Sequence, residues 1–170
     1  PWAPHHLGAW PVCNLPSWYQ EQMPMEESAN LLIMLAGIAQ QQNNDVSYLK
    51  EYTPVLQTWV DYLNSTLPDP GNQLCTDDFE GPSPHNVNLA LKGILGIGSY
   101  ALIQKYAGNT DLYNTYIALA KTYVQDWLSM ANDGNHYRLQ YNLPNTWSIK
   151  YDLVWQYILG LDLFPDSVAQ

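Results

Sequence analysis

The stretch NVNLALKGILGIGSYALIQKY, residues 86–106, is apolar almost all round at helical spacing, with a single charge, Lys92, in its first half. A helix with no polar face has no side to turn to solvent and must be enclosed by other elements. Gly93, Gly96 and Gly98 lie within it, so they leave room for close neighbours rather than forming a phosphate loop. Two more stretches are of the same kind: EESANLLIMLAGIAQQQ from Glu26, and TWSIKYDLVWQYILGLDLF from Thr146. The first two are each followed by a one-faced amphipathic pattern. Leu49, Tyr52, Leu56, Trp59, Val60 and Leu63 recur at three- and four-residue steps, with Pro54 expected to kink that helix or mark its first turn. After Gly108 the pattern returns in Tyr113, Tyr116, Ile117, Ala120, Tyr123, Val124, Trp127 and Leu128.

The buried-type helices are expected to begin near residues 26, 86 and 147, a period of about sixty residues. Each unit reads as a long loop, an inner helix, a short turn and an outer helix. A hairpin of this kind cannot bury its inner helix alone, so the fold class is all-α, a helical-hairpin toroid or array of about two and a half hairpins. A plain helical bundle is the alternative, but it does not require long aromatic loops before the same type of helix. Strand signals are poor, leaving only short pieces in the loops. If the inner helices run parallel, their N-termini and the long loops share one end, where free N–H groups and a partial positive charge collect. Glu26, Glu27, Asp77, Asp78, His85, Asn86, His136, Tyr137 and Trp147 all fall at that end. Two and a half hairpins do not close a ring, so the expected partner is the remainder of a barrel or other chains covering the inner helices.

Six Lys and Arg against sixteen Asp and Glu give a net charge of −10, which excludes the cationic footprint of a nucleic-acid binder and disfavours anionic membranes. No run of eighteen uninterrupted apolar residues suggests a membrane span, and no signal peptide is visible in the abrupt start PWAPHHLGAW. Seven Trp and thirteen Tyr against two Phe suit half-wet surfaces such as clefts. Cys13 and Cys75 are either lone thiols or one disulfide, which spacing does not decide. The sequon Asn64-Ser65-Thr66 sits at a helix end before Pro68 and lends modest support to secretion.

Four segments carry a resemblance. PWAPHHLGAWP, EQMPMEESANLLIMLAGIA, DPGNQLCTDDFEGPSPHNVNLALKGILGIGSYA and TWSIKYDLVWQYILGLDLFP resemble the C-terminal region of fungal secreted glutaminase A-type proteins. The similarity runs over nearly the whole chain. It implies residues 1–170 as part of a single six-hairpin domain of (α/α)6-toroid type, with hairpins missing on both sides. It also implies fungal origin, secretion and L-glutamine amidohydrolase activity.

Amide or glycoside hydrolysis needs an acid and a base, and two carboxylates in one pocket can divide those tasks. The candidates are Asp77 and Asp78 in the loop PGNQLCTDDFEGPSPHN (residues 70–86), and Glu26 and Glu27 in the corresponding slot one repeat earlier. Turn-forming for the aspartates and favourable first-turn placement for the glutamates are the structural alternatives. His85, Asn86, Lys92 and Trp147 are candidate substrate-positioning groups. Asn86 is also a natural N-cap, and a buried Lys92 needs an acidic partner. Lys150, close to Asp152, raises the same question. SYLK, residues 47–50, matches a serine-hydrolase motif but stands on an outer helix without its companions. No metal-ligand spacing is present and no cofactor is expected. The substrate is expected to be a small molecule, glutamine or, on the alternative reading, a sugar bound or cleaved by the same toroid. A structural or storage role is the remaining class.

Overall fold

In the computed structural model, residues 1–8, 11–13, 22–75 and 81–170 are described. Helix α1 spans Pro24–Gln41, α2 Thr53–Thr66, α3 Val87–Tyr106, α4 Thr110–Ala131 and α5 Val154–Leu159, and the strands β1 (Asn72–Gln73) and β2 (Ser83–Pro84) pair antiparallel. The chain is thus an all-α fold, with α3 at its centre, α1 and α5 packed on it as the other inner helices of the series, and α2 and α4 as the outer ones.

Local chemistry explains most boundaries. Pro24 occupies the first turn of α1, where a missing N–H costs nothing. Met23 has no capping side chain, and the N–H of Met25 is instead taken by Gln73 Oε1 at 2.9 Å, a buried glutamine supplied by β1. Ser47–Tyr52 form a tight 3₁₀ turn, so Pro54 marks the first turn of α2 rather than a kink. Asn86 caps α3 by accepting from Leu89 N–H at 2.9 Å.

Contacts along the helices fix their direction. Methyl-sized space at Gly93 is filled by Met25, and at Gly96 by Ala29, so α1 runs parallel to α3. Leu67 also meets Gly93, Leu63 meets Gly96, and the Tyr100 hydroxyl donates to Gln57 Oε1 at 2.7 Å, so α2 runs back antiparallel. Trp127 Nε1–H donates to the Val87 carbonyl at 2.8 Å and Tyr116 packs edge-on against Tyr100, which gives α4 the same antiparallel sense. Asp152 reaches Asn88 and Leu163 reaches Gly98, so α5 follows the direction of α3. The inner helices therefore do run parallel, with their N-termini at one end. Helix α3 has the length and apolarity of a membrane-crossing segment but is wholly enclosed by the fold.

The third inner helix departs from expectation. Residues 146–150 form no helix, with Trp147 and Ile149 exposed and Ser148 buried between them, a two-residue alternation. Lys150 sits at φ +55°, which delays helix until the 3₁₀ turn at Tyr151–Leu153. Gly160, at φ +65°, ends α5 after only six residues. Buried Gln156 then holds the departing chain, accepting from Leu163 N–H at 3.0 Å and donating to the Phe164 carbonyl at 2.9 Å. The possible Cys13–Cys75 disulfide is not formed, because Cys75 is buried in the core while Cys13 lies exposed. Met34 and Ile38 on α1, and Val154, Tyr157 and Ile158 on α5, are exposed apolar side chains.

The α1–α3 contact depends on glycine. A Cβ at Gly96 would lie 2.8 Å from Leu63 Cδ1 and 3.0 Å from the Ala29 backbone, whereas one at Gly37 would meet only Leu159 Cδ2 at 3.8 Å. Gly96→Ala is expected to lose about 1–3 kcal/mol through overpacking. Gly37→Ala should be neutral or gain roughly 0.5–1 kcal/mol from helix propensity. Urea unfolding of the two variants measures the contrast.

Candidate active site

The charge in the enclosed helix organises the site. Lys92, two turns into α3, donates to Glu26 Oε1 from the first turn of α1, and its Nζ stands 3.2 Å from Asp152 Oδ1 in the turn before α5. Asn88, one turn above Lys92, donates to Asp152 Oδ2 at 2.8 Å, while the Asp152 N–H donates to Asn88 Oδ1 at 3.3 Å. The side chains of Lys92, Glu26 and Asp152 are only 6%, 5% and 3% exposed. The starts of the three parallel inner helices thus bring four polar groups, two of them from α3, to a single sealed point.

Electrostatics follow from that sealing. Burial is the largest influence on Lys92 and pushes its pKa down, but Glu26 and Asp152 together reverse this and hold it above the ordinary 10.5. Burial raises Asp152 above 3.8, the Glu26 charge adds to the rise, and Lys92 and Asn88 oppose it. Lys92 therefore stabilises the fold fully below its unfolded value and loses that contribution only as pH rises through its higher folded value. Asp152 acts the other way: its proton is held more tightly in the fold, so its contribution is present in acid and lost as pH rises through its folded value. With two carboxylates on one ammonium, the cluster is short of one positive charge and can take up a proton.

The candidate residues separate clearly. Glu26 turns inward to the cluster, whereas Glu27 accepts from the outside, with His5 Nδ1 at 2.7 Å. Asp77 and Asp78 lie outside the described residues. Lys92, expected to need an acidic partner, finds two, Glu26 and Asp152, both buried carboxylates of the protein. Asn86 is almost fully buried and commits its Oδ1 to the cap and its Nδ2 to Ser83 Oγ at 3.1 Å, so it shapes the helix start instead of facing ligand. Lys150 does not pair with Asp152; its ammonium lies 5.1 Å over the Tyr137 ring. Trp147 stands on the rim, 64% exposed, stacked flat on His136 at 3.9 Å between ring centroids. Asp133 supports that rim: it lies 3.3 Å from His136 Nε2 and accepts from Arg138 at 3.2 Å and from Asn145 N–H at 2.6 Å. The Asn145 bond leads in holding its carboxyl below the usual range.

Asn88, Asp69 and Asp133 escaped the sequence reading, and Asp152 entered it only as a neighbour of Lys150. Asn88 and Lys92 stand four apart in an otherwise apolar helix, which places both on one face and was the available signal. Among the described residues, no group of three or more His, Cys, Asp or Glu is arranged to hold a metal ion. A separate cavity of about 350 Å³, lined by Leu49, Leu56, Ile103 and Ala107, opens at the far end of α3, away from every one of these carboxylates.

Removing the ammonium leaves two buried carboxylates without compensation. Lys92→Met is expected to cost about 3–5 kcal/mol at neutral pH. The loss should shrink in mild acid, as the stranded carboxylates take up protons. Unfolding measured at both pH values checks the sign as well as the size.

The geometry agrees with what the chain is similar to. The model for the glutaminase A six helical-hairpin domain matches residues 1–170. Glutaminase A of Aspergillus oryzae is 39% identical over 157 residues, covering 90% of this chain and 23% of that protein. A protein described as a probable glutaminase from Arthroderma benhamiae is 36% identical over 97 residues, covering 56% of this chain and 11% of its own length. The chain thus spans less than a quarter of the relatives it matches. The hairpin architecture and the extent of the match show that this chain belongs to the glutaminase A family.

Proposed function

We propose that the chain forms part of a secreted fungal hydrolase that converts L-glutamine and water to L-glutamate and ammonia. The observation that carries this reading is the Glu26–Lys92–Asp152 cluster, placed where three inner helices begin, in a family whose relatives are named glutaminases. Amide hydrolysis takes a proton from the attacking water and gives one to the departing nitrogen. The buried cluster, with one carboxyl pushed toward its neutral form, sets the charge beneath the groups that make that exchange. Asp77 and Asp78 remain candidate carboxylates for the same exchange, and Glu27 lies at the rim. His85 and Trp147 complete the substrate-facing set. The remainder of the barrel covers the exposed apolar faces of α1 and α5.

The secreted setting is supported by the acidic composition and by Asn64, which is exposed at the end of α2. The Tyr123 hydroxyl donates to Asn64 Oδ1 at 2.8 Å, which leaves the amide nitrogen, the glycan-bearing atom, outward. A second reading, a glycoside hydrolase or non-catalytic carbohydrate binder, is favoured by Trp147 alone. Its exposed ring, held flat against His136, is a ready stacking platform for a sugar.

Ammonia release from L-glutamine, set against sugar release from a glycan panel, decides between the two. On the glutaminase reading, Glu26→Gln and Asp152→Asn lower kcat by changing the charge at the start of the inner helices. Sugar release without ammonia, or full turnover in both variants, overturns it. Asp77→Asn and Asp78→Asn, assayed alongside, show which of the two aspartates takes part.

A further inference from the structure

Beside the sealed cluster is a second, open pair that the sequence reading did not assemble. His85 immediately precedes the cap of α3, and its Nδ1 lies 2.8 Å from both oxygens of Asp69. Each side chain is a little over one-third exposed. Asp69 is itself fixed, accepting from Gly71 N–H at 3.0 Å. The backbone of His85 is clamped on both sides: its N–H donates to the Gly71 carbonyl at 2.8 Å, and its carbonyl accepts from Tyr141 N–H at 3.0 Å. Those bonds hold His85 at φ +55°, a left-handed conformation that costs a residue with a side chain of this size and persists only where the surroundings impose it. Burial first, then the charges of Asp69 and Asp126, push the Tyr141 phenol far above its ordinary range, so it stays protonated beside the pair.

A carboxylate facing Nδ1 selects the tautomer that carries its proton there and leaves the Nε2 lone pair outward. Among the described residues, nothing else hydrogen-bonds the His85 ring. The contrast with the cluster two turns below matters. Glu26 and Asp152 are sealed and cannot touch substrate, whereas the imidazole is open at the same end of α3.

We propose that His85 is the catalytic residue that carries the proton at this site, and that Asp69 is its positioning residue. The proposal rests on the amidohydrolase reading and narrows its acid–base step to one imidazole, the sealed carboxylates setting the charge beneath it. As the water oxygen bonds to the amide carbon, Nε2 takes its proton. As the carbon–nitrogen bond breaks, Nε2 returns that proton to the departing nitrogen. Glutamine and water thereby become glutamate and ammonia, and the imidazole ends each turnover as it began. Asp69 pairs with it, and Tyr141, which feels the charges of both Asp69 and Asp126, lies next to that pair.

The test uses His85→Asn and Asp69→Asn in the intact protein. Asparagine tolerates the left-handed backbone, so His85→Asn keeps the turn while removing proton transfer. The expected result is a fall in kcat of about 10²–10⁴ with little change in KM and an unchanged melting temperature. Asp69→Asn should lower kcat less, with little change in KM, and Asp69→Glu should restore part of the loss. Nitrogen-15 NMR should show the Nδ1–H tautomer of His85 in the parent protein and its loss in Asp69→Asn. Unchanged kcat in His85→Asn, a fall that merely tracks loss of folded protein, or an Nε2–H tautomer in the parent overturns the proposal. A parent protein that releases no ammonia from glutamine overturns the amidohydrolase reading instead, and the NMR result still decides the Asp69–His85 geometry.

Discussion

One buried ammonium constrains the whole arrangement. Lys92 lies in a helix enclosed on all sides, where an unpaired charge is untenable. Its partners must therefore come from other elements, and they come from the first turn of α1 and the turn before α5. That requirement brings the starts of three inner helices to one height. Parallel inner helices, antiparallel outer ones and loops gathered at a single end all agree with it. A hydrophobic side chain at position 92 would fill the space but would give α1 and α5 no reason to register there.

The same constraint separates what the sequence showed from what it concealed. Inner and outer helices were legible because their signals are local: apolar all round in α1 and α3, one-faced in α2 and α4, with Asn86 and Pro54 marking starts. The third inner helix was not, because residues 146–150 stay outside the helix and their alternating burial hides inside a helical-looking composition. Lys150 adopting positive φ has no sequence signature comparable to glycine. The pairing of β1 with β2 was likewise too short to announce itself, yet Gln73 on β1 completes the start of α1.

For the site, residue type was readable and partnership was not. Glu26 and Glu27 are adjacent and chemically alike, and only the helical phase, inward for one and outward for the other, separates them. Asp152 looked like a neighbour of Lys150, two residues away, but the fold gives it to Lys92, sixty residues away in sequence. Asp69 was invisible as a partner for His85 because the loop between them has to fold back first. Long-range pairs of this kind are set by topology, which composition and spacing do not encode.

The central claim is that Glu26 and Asp152 act as one unit through Lys92 in glutamine hydrolysis. A double-mutant cycle on kcat for ammonia release, with Glu26→Gln, Asp152→Asn and the combined variant, tests it most directly. The account predicts strong non-additivity, the double variant being scarcely slower than the worse single one. Losses that multiply independently, or no loss at all, would contradict it.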